Sequence, residues 1–150
     1  MRLIDIDFKE MNKDQRVKQI ILDIRDFEKL KIALENVWGV FHIASFGMSG
    51  KAMLNQSKVY EINVNGTKNL VKACLENQIN KLIYTSSYNV VFGGQKISKG
   101  DLKMDYFPIE KQIDYYSITK TISEKFVLET NDKEIAFGKK FKTISLRPAG

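Results

Sequence analysis

Tyr116 and Lys120 stand four residues apart in "DYYSITKTISEK" (residues 114–125). On a helix that spacing puts both side chains on one face, a turn apart. An ammonium beside a phenol favours the phenolate, so Lys120 is expected to draw Tyr116 down from the ordinary phenol pKa of about 10. A tyrosine tuned in this way can serve as a general acid/base. Tyr115 has Thr119 four residues on and lacks such a partner. The same letters also read as a plain amphipathic helix, with Lys120 and Glu124 as a surface ion pair, so the spacing alone leaves both readings open. Two more polar residues fall at suggestive places. Ser87 closes the apolar run "KLIYTSS", where a hydroxyl at a strand end can polarise a carbonyl. Asn63 interrupts an apolar helical stripe, and a buried asparagine needs either a protein partner or a ligand.

These residues need a scaffold, and the hydrophobic pattern supplies one. Short runs rich in Ile, Val and Leu occur at residues 2–6, 18–24, 39–45, 81–87 and 142–148. They read as strands buried on both faces. Between them lie stretches of helical period. Phe27, Leu30 and Leu34 share a face behind a candidate N-cap, Asp26. Val59, Ile62, Gly66, Leu70, Ala73 and Cys74 form a second stripe, and Ile118, Ile122 and Phe126 continue a third helix from Asp114. Alternating strand and helix implies the α/β class, a doubly wound parallel sheet with helices on both faces. In such sheets ligands sit beyond the carboxyl ends of the strands. Those ends hold Asp5, Asp23 and Ile24, then Ala44 to Gly47, then Ser86 and Ser87, and last Arg147 and Pro148. The long irregular stretch at residues 92–113 has the length of a functional loop.

Composition narrows the classes. A chain of 150 residues, 43% hydrophobic and 28% charged, has the make-up of one globular domain, with no linker or repeat to divide it. The net charge of +6 comes from 24 basic and 18 acidic residues intermixed along the chain, which argues for a solvated lysine-rich surface rather than a nucleic-acid footprint. One histidine, His42, and one cysteine, Cys74, leave no set of ligands for zinc and no internal disulfide. His42 lies in an apolar run and is expected to be buried and hydrogen-bonded. No apolar run approaches the ~20 residues a membrane span requires. The start, "MRLIDIDFKE", is not a signal peptide. The chain is therefore expected to be cytoplasmic.

The ordered set "HIASFGMSG", "NVNGTKNLVKAC", "LIYTSSYNVVFGG", "YYSITK" and "LRPAG" resembles an extended short-chain dehydrogenase/reductase. Within that group it is most similar to the 3β-hydroxysteroid dehydrogenase branch, particularly short-chain dehydrogenase/reductase family 42E. The resemblance covers nearly the whole chain. It implies a Rossmann-type NAD(P)-binding domain over residues 1–150. It further implies Tyr116 as acid/base, Lys120 as the residue that binds the nicotinamide ribose and lowers the tyrosine pKa, and Ser87 as the hydrogen-bond donor to the reacting oxygen. Asp5 would bond the adenosine ribose, and a carboxylate there favours NAD over NADP. Asp23 and Ile24 would flank the adenine, while Ile43, Ala44, Ser45, Phe46 and Gly47 would line the cofactor. Asn63 would approach it from its helix, and Pro148 and Ala149 would sit beside the nicotinamide. The implied cofactor is NAD, and the implied partner is a steroid or sterol-like alcohol oxidised at its CH–OH carbon. A homodimer and attachment to the endoplasmic reticulum are expectations for a full-length parent.

The sequence departs from that family at its start. Members open with a strand and a Gly-rich turn whose helix N-terminus holds the pyrophosphate, and these 150 residues contain no such turn. The chain is thus expected to be an internal fragment, without the first strand, the first helix and the C-terminal substrate region, and inactive alone. The strands at residues 2–6 and 39–45 would then lack the neighbour they share. A nucleotide-sugar epimerase, dehydratase or reductase uses the same Ser, Tyr and Lys, and a non-catalytic remnant would keep the same fold.

Overall fold

A computed structural model describes residues 1–10, 12–101 and 103–148. The chain runs β1 (Arg2–Asp5), β2 (Lys18–Ile21), α1 (Phe27–Ala33), β3 (Val40–His42), α2 (Gln56–Tyr60), a π-helical segment (Glu61–Gly66), α3 (Thr67–Glu76), β4 (Lys81–Thr85), α4 (Tyr115–Glu129) and β5 (Lys142–Leu146). All five expected strands are present, each shorter than its apolar run. The helix starts follow side-chain chemistry. Asp26 accepts from Lys29 N to begin α1, and Asp114 accepts from Ser117 N to begin α4, each satisfying an amide that the first helical turn leaves free.

The strands form two parallel sheets. β1 pairs with β2, while β4 lies between β3 and β5. Both sheets rest on one helical layer. Leu30 and Leu34 beside α1, Leu70 and Val71 of α3 and Val127 of α4 pack with Leu22, Leu82 and Phe141, and Ile4 and Ile20 of the small sheet join them. Side-chain amides fasten the layer. Asn69 Nδ2 donates to the Ile24 and Arg25 carbonyls at the exit of β2, and Asn77 Nδ2 ties the end of α1 to α3 through Lys31 O. Arg2 Nη1 donates to the Ala33 and Glu35 carbonyls, at 2.7 and 2.6 Å, and so anchors the start of β1 at the end of α1.

This is the Rossmann-type α/β fold in incomplete form, with parallel strands and crossover helices. The expectation of strands buried on both faces is corrected. His42, Leu82, Tyr84 and Thr143 face the helices and are buried, whereas Phe41, Ile144 and Leu146 on the opposite face are exposed, Phe41 by 69%. The packed helices cover only the first face. The apolar alternation in these strands therefore marks two faces suited to burial, of which this chain covers one.

The α4 stripe is also corrected. Ile118, Ile122 and Phe126 are half-buried. The fully buried face carries Tyr116, Ser117, Thr119, Lys120, Thr121, Ser123 and Glu124. Polar groups can occupy such a face when each finds a partner, and most of these do. The Ser117, Thr119, Thr121 and Ser123 hydroxyls bond to the Asp114 carboxylate or to helix carbonyls.

Candidate active site

Lys120 is 2% exposed. Its Nζ donates to the Thr85 carbonyl at the end of β4, 2.6 Å away, and lies 4.4 Å above the Tyr84 ring. Burial draws its pKa down to about 8, against the opposing charge of Glu124. The Tyr116 ring sits on the same side, its centroid 6.0 Å from the ammonium. The grip on Thr85 holds the N-terminal half of α4 beneath the carboxyl end of β4, two residues before Ser87.

Burial is the main influence on Tyr116. It raises the phenol above its ordinary value, with the Ser45 hydroxyl opposing and the Asp114 charge reinforcing the rise. The depression by Lys120 that the spacing suggests is therefore not found. The ammonium is directed at a carbonyl and at the Tyr84 ring instead of the phenol oxygen.

Ser87 caps the short turn Tyr88–Val90, its Oγ accepting from Asn89 N at 3.2 Å. Tyr88 N donates to Pro148 O at 3.3 Å, so this turn lies against the exit of β5. The ends of β3, β4 and β5 thus converge on Tyr116 and Lys120. Ala149 lies outside the described residues.

Asn63 resolves the choice left open by its sequence. Its Oδ1 accepts from Phe46 N at 2.8 Å, and its Nδ2 donates to Phe46 O at 2.9 Å and to Thr119 Oγ1 at 3.0 Å. Both amide protons are used within the protein, so Asn63 has the protein partners that a buried asparagine needs. It straps the β3 exit to α4. Gly47 turns the next bend at φ +84, where a Cβ would lie 2.4 Å from Val59 Cγ2. The π-helical segment leaves a carbonyl outside the regular ladder, and Asn63 O accepts from the Thr67 and Ser123 hydroxyls. His42 Nε2 meets Thr67 Oγ1 at 2.8 Å. Since the Thr67 proton goes to Asn63 O, the imidazole is the donor. Burial, then the charge of Lys120, pushes its pKa down to about 3, so His42 is neutral. Its expected buried, bonded state is found.

The adenosine-side candidates belong to the other sheet. Asp5 ends β1, its Oδ1 accepting from Ile6 N in an exposed turn. Asp23 is held below the ordinary carboxylate range by a bidentate pair with Arg25. Ile24 is half-buried against Gly66, where a Cβ would approach its Cδ1 to 2.5 Å. Asp5, Ile24, Ile43, Ala44 and Ser45 line one end of a cavity of about 1050 Å³ that runs between the sheets.

Two features were missed from sequence. Glu124 does not pair with Lys120 at the surface. It is 1% exposed, and its Oε1 accepts from Arg147 Nη2 and Nε at 2.7 and 2.9 Å and from the Tyr106 hydroxyl at 2.9 Å. This node ties α4, the exit of β5 and the long loop together. Glu124 four residues beyond Lys120, on the helix face that carries Tyr116 and Lys120, was the available signal. The second is a cavity of about 860 Å³ beside the Ser87 turn, lined by Tyr88, Val91, Phe92, Ile97, Met104 and Arg147 among others.

The family model described as the 3-beta hydroxysteroid dehydrogenase/isomerase family matches residues 1–150. The chain belongs to this family. Among its relatives, "Short-chain dehydrogenase/reductase family 42E member 1" of Mus musculus is 43% identical over 152 residues, covering 99% of this chain and 39% of the relative. "Sterol-4-alpha-carboxylate 3-dehydrogenase, decarboxylating" of Homo sapiens is 37% identical over 144 residues, covering 96% and 36%. The chain thus spans about two fifths of the length of these relatives. Among solved structures, UDP-N-acetylglucosamine 4-epimerase from Methanobrevibacter ruminantium superposes with a TM-score of 0.79 at 20% identity, over 97% of this chain and 46% of the other. Thermus thermophilus UDP-glucose 4-epimerase, solved with NAD, gives a TM-score of 0.78 at 20% identity, with 97% and 46% covered. At that identity the structures establish the fold this family member shares with them.

Proposed function

We propose that this family member carries the catalytic half of an NAD-dependent oxidoreductase acting on the CH–OH group of a steroid or sterol-like alcohol, within a partial NAD(P)-binding domain at residues 1–150. The observation that carries the reading is the buried Lys120, held at the end of β4 with Tyr116 one turn away. A buried ammonium with a lowered pKa, paired with a phenol at converging strand ends, is an arrangement for moving a proton. The cavity beside the Ser87 turn, where Tyr88, Val91, Phe92, Ile97 and Met104 stand with Gln95, Lys96, Asp101 and Arg147, gives an apolar alcohol a largely apolar wall. The relative named as a sterol dehydrogenase supports the same substrate class.

The residues fit NAD at both ribose ends. Lys120 makes one protein hydrogen bond among the described residues, to Thr85 O, so N–H donors remain for ribose hydroxyls. The Asp5 carboxylate, in an exposed turn at the cavity mouth, offers acceptors for the adenosine ribose. Held between Asp5 and Lys120, NAD would supply the hydride acceptor for the alcohol carbon. As phenolate, Tyr116 would take the hydroxyl proton as the carbonyl forms, and as phenol it would return that proton in the reverse direction. Ser87 would orient the reacting oxygen by donating a hydrogen bond, and the Lys120 ammonium, bonded to Thr85 O and 6.0 Å from the Tyr116 ring centre, puts a positive charge on the same side without touching the phenol. Ser45, Phe46 and Pro148 shape the cofactor's bed, and Asn63 holds Phe46 in place. The experiment is Tyr116→Phe in a full-length parent. Hydride transfer is expected to fall at least ~10²-fold with NAD binding retained in a fluorescence titration, and undiminished turnover would remove Tyr116 from the role.

A further inference from the structure

Glu124 gathers three donors on one oxygen. Arg147 Nη2 and Nε and the Tyr106 hydroxyl all meet Oε1, at 2.7, 2.9 and 2.9 Å. The second oxygen, Oε2, is buried and has no hydrogen-bond partner among the described residues. A carboxylate oxygen buried in that state is costly unless a positive charge lies within reach. Lys120 supplies one. It stands one turn before Glu124 on the same buried face of α4.

The dependence also runs from Lys120 to Glu124. An ammonium removed from water loses its proton more readily, and the groups that touch this one, Thr85 O and the Tyr84 ring, are neutral. The titratable neighbours bring no other anion. His42 of β3 is neutral. Burial raises the Tyr84 phenol of β4, with Ser123 opposing and the charges of Tyr116 and Glu124 adding to the rise. Burial is also the first influence on Tyr116, and Asp114 acts there. The lysines of the packed helices lie over other rings, Lys58 over Phe46, Lys68 over Phe126 and Lys72 over Phe27. From β5 comes Arg147, already bonded to Glu124. Glu124 is the one carboxylate among the buried residues described, and its charge is what opposes burial at Lys120.

We propose that Glu124 is a positioning residue for the reaction, the counter-ion that keeps the Lys120 ammonium charged at the end of β4. Arg147 and Tyr106 hold its carboxylate through Oε1. This role rests on the reaction proposed above, in which Lys120 places a positive charge on the side of Tyr116. It extends the site by one turn of α4 and joins it to the long loop through Tyr106.

The test reads the proton on Lys120 directly. The lysine side chains of the 150-residue chain are isotopically labelled and followed by NMR through a pH titration, and Lys120 is the signal that Lys120→Met removes. The unaltered chain should titrate there at about 8. Glu124→Gln keeps an oxygen for Arg147 and Tyr106 but loses the charge, and Lys120 should then titrate at about 7 or lower. Tyr106→Phe removes a hydrogen bond and no charge, and Glu124→Asp keeps the charge, so both should stay within about 0.5 of the unaltered chain. In a full-length parent, Glu124→Gln should lower hydride transfer at least about threefold at about pH 7.5, and the loss should narrow towards about pH 6, where Lys120 regains its proton. An unmoved Lys120 titration in Glu124→Gln, or an equal movement in Tyr106→Phe, overturns the proposal. So does a loss of activity of the same size at both pH values. A Glu124→Gln chain without a folded spectrum would make Glu124 a residue of the fold alone and equally overturn it. The titration needs no turnover, so its failure leaves the assignment of Tyr116 standing, and undiminished turnover of Tyr116→Phe leaves the counter-ion standing.

Discussion

Lys120 keeps its ammonium out of water by giving one N–H to the Thr85 carbonyl and lying on the Tyr84 ring. Replacing a buried charge by an apolar side chain of similar length is commonly neutral or stabilising. Lys120→Met should therefore leave the urea midpoint of the chain unchanged or higher, while lowering hydride transfer in a full-length parent by at least ~10²-fold. A fold that collapses in Lys120→Met would make Lys120 a structural residue. Glu124 has the opposite dependence, because Arg147 relies on it for charge compensation. Glu124→Ala should cost about 3 kcal/mol in urea unfolding, and Glu124→Gln less, since an amide oxygen still accepts from Arg147 and Tyr106. His42 supplies a pH dependence. Its folded pKa of about 3 lies below the ordinary value of 6.5, so between these values the unfolded chain binds the extra proton and stability falls as pH falls. From pH 6.5 to 5 the loss should reach about 2 kcal/mol, and His42→Asn should flatten it. At this scale the sequence was readable where partners lie close along the chain, as for the Asp26 and Asp114 caps, but not for the Lys120 ammonium, which turns to Thr85 O and the Tyr84 ring. It was silent on Glu124, whose partners Tyr106 and Arg147 come from other parts of the fold.

The elements divide in the same way. Helices α1 and α4 were legible because Asp26 and Asp114 announce their starts, and the strands because β-branched residues cluster. The π-helical segment was not, since its cause lies outside it. Asn63 must point at Phe46 and Thr119 while Val59 and Leu70 stay in the core, and the wider turn reconciles the two demands. Asn63→Leu should remove all three of its hydrogen bonds and leave the Phe46 amide and carbonyl without partners in a half-buried loop. The expected cost is about 3 kcal/mol, from the desolvation of groups left unpaired. Urea unfolding measures it, and a change below about 0.5 kcal/mol, the usual size of a surface substitution, would show that the strap is dispensable. The polar buried face of α4 escaped a reading based on apolar period, because hydroxyls bonded to their own helix carbonyls are buried without an apolar signature.

At the scale of the whole molecule, the proposed ribose contacts of Asp5 and Lys120 have no helix start with a free third amide between them among the described residues. A helix N-terminus binds phosphate when its first amides are free. Here Asp26 accepts from Lys29 N in α1, Asn55 from Lys58 N in α2, and Asp114 from Ser117 N in α4. Side chains of the protein, two of them carboxylates, hold those positions, and a carboxylate there repels a phosphate. The contacts that remain, Asp5 on one sheet and Tyr116 and Lys120 on the other, stand on opposite sides of the cleft. Calorimetric titration of the 150-residue chain with NADH should therefore give no saturable heat below about 1 mM, a binding free energy weaker than about −4 kcal/mol. Micromolar affinity would mean that the chain holds the diphosphate by other groups. Tyr116→Phe and Asp5→Ala variants in the same titration would then show which end of the cofactor carries the binding.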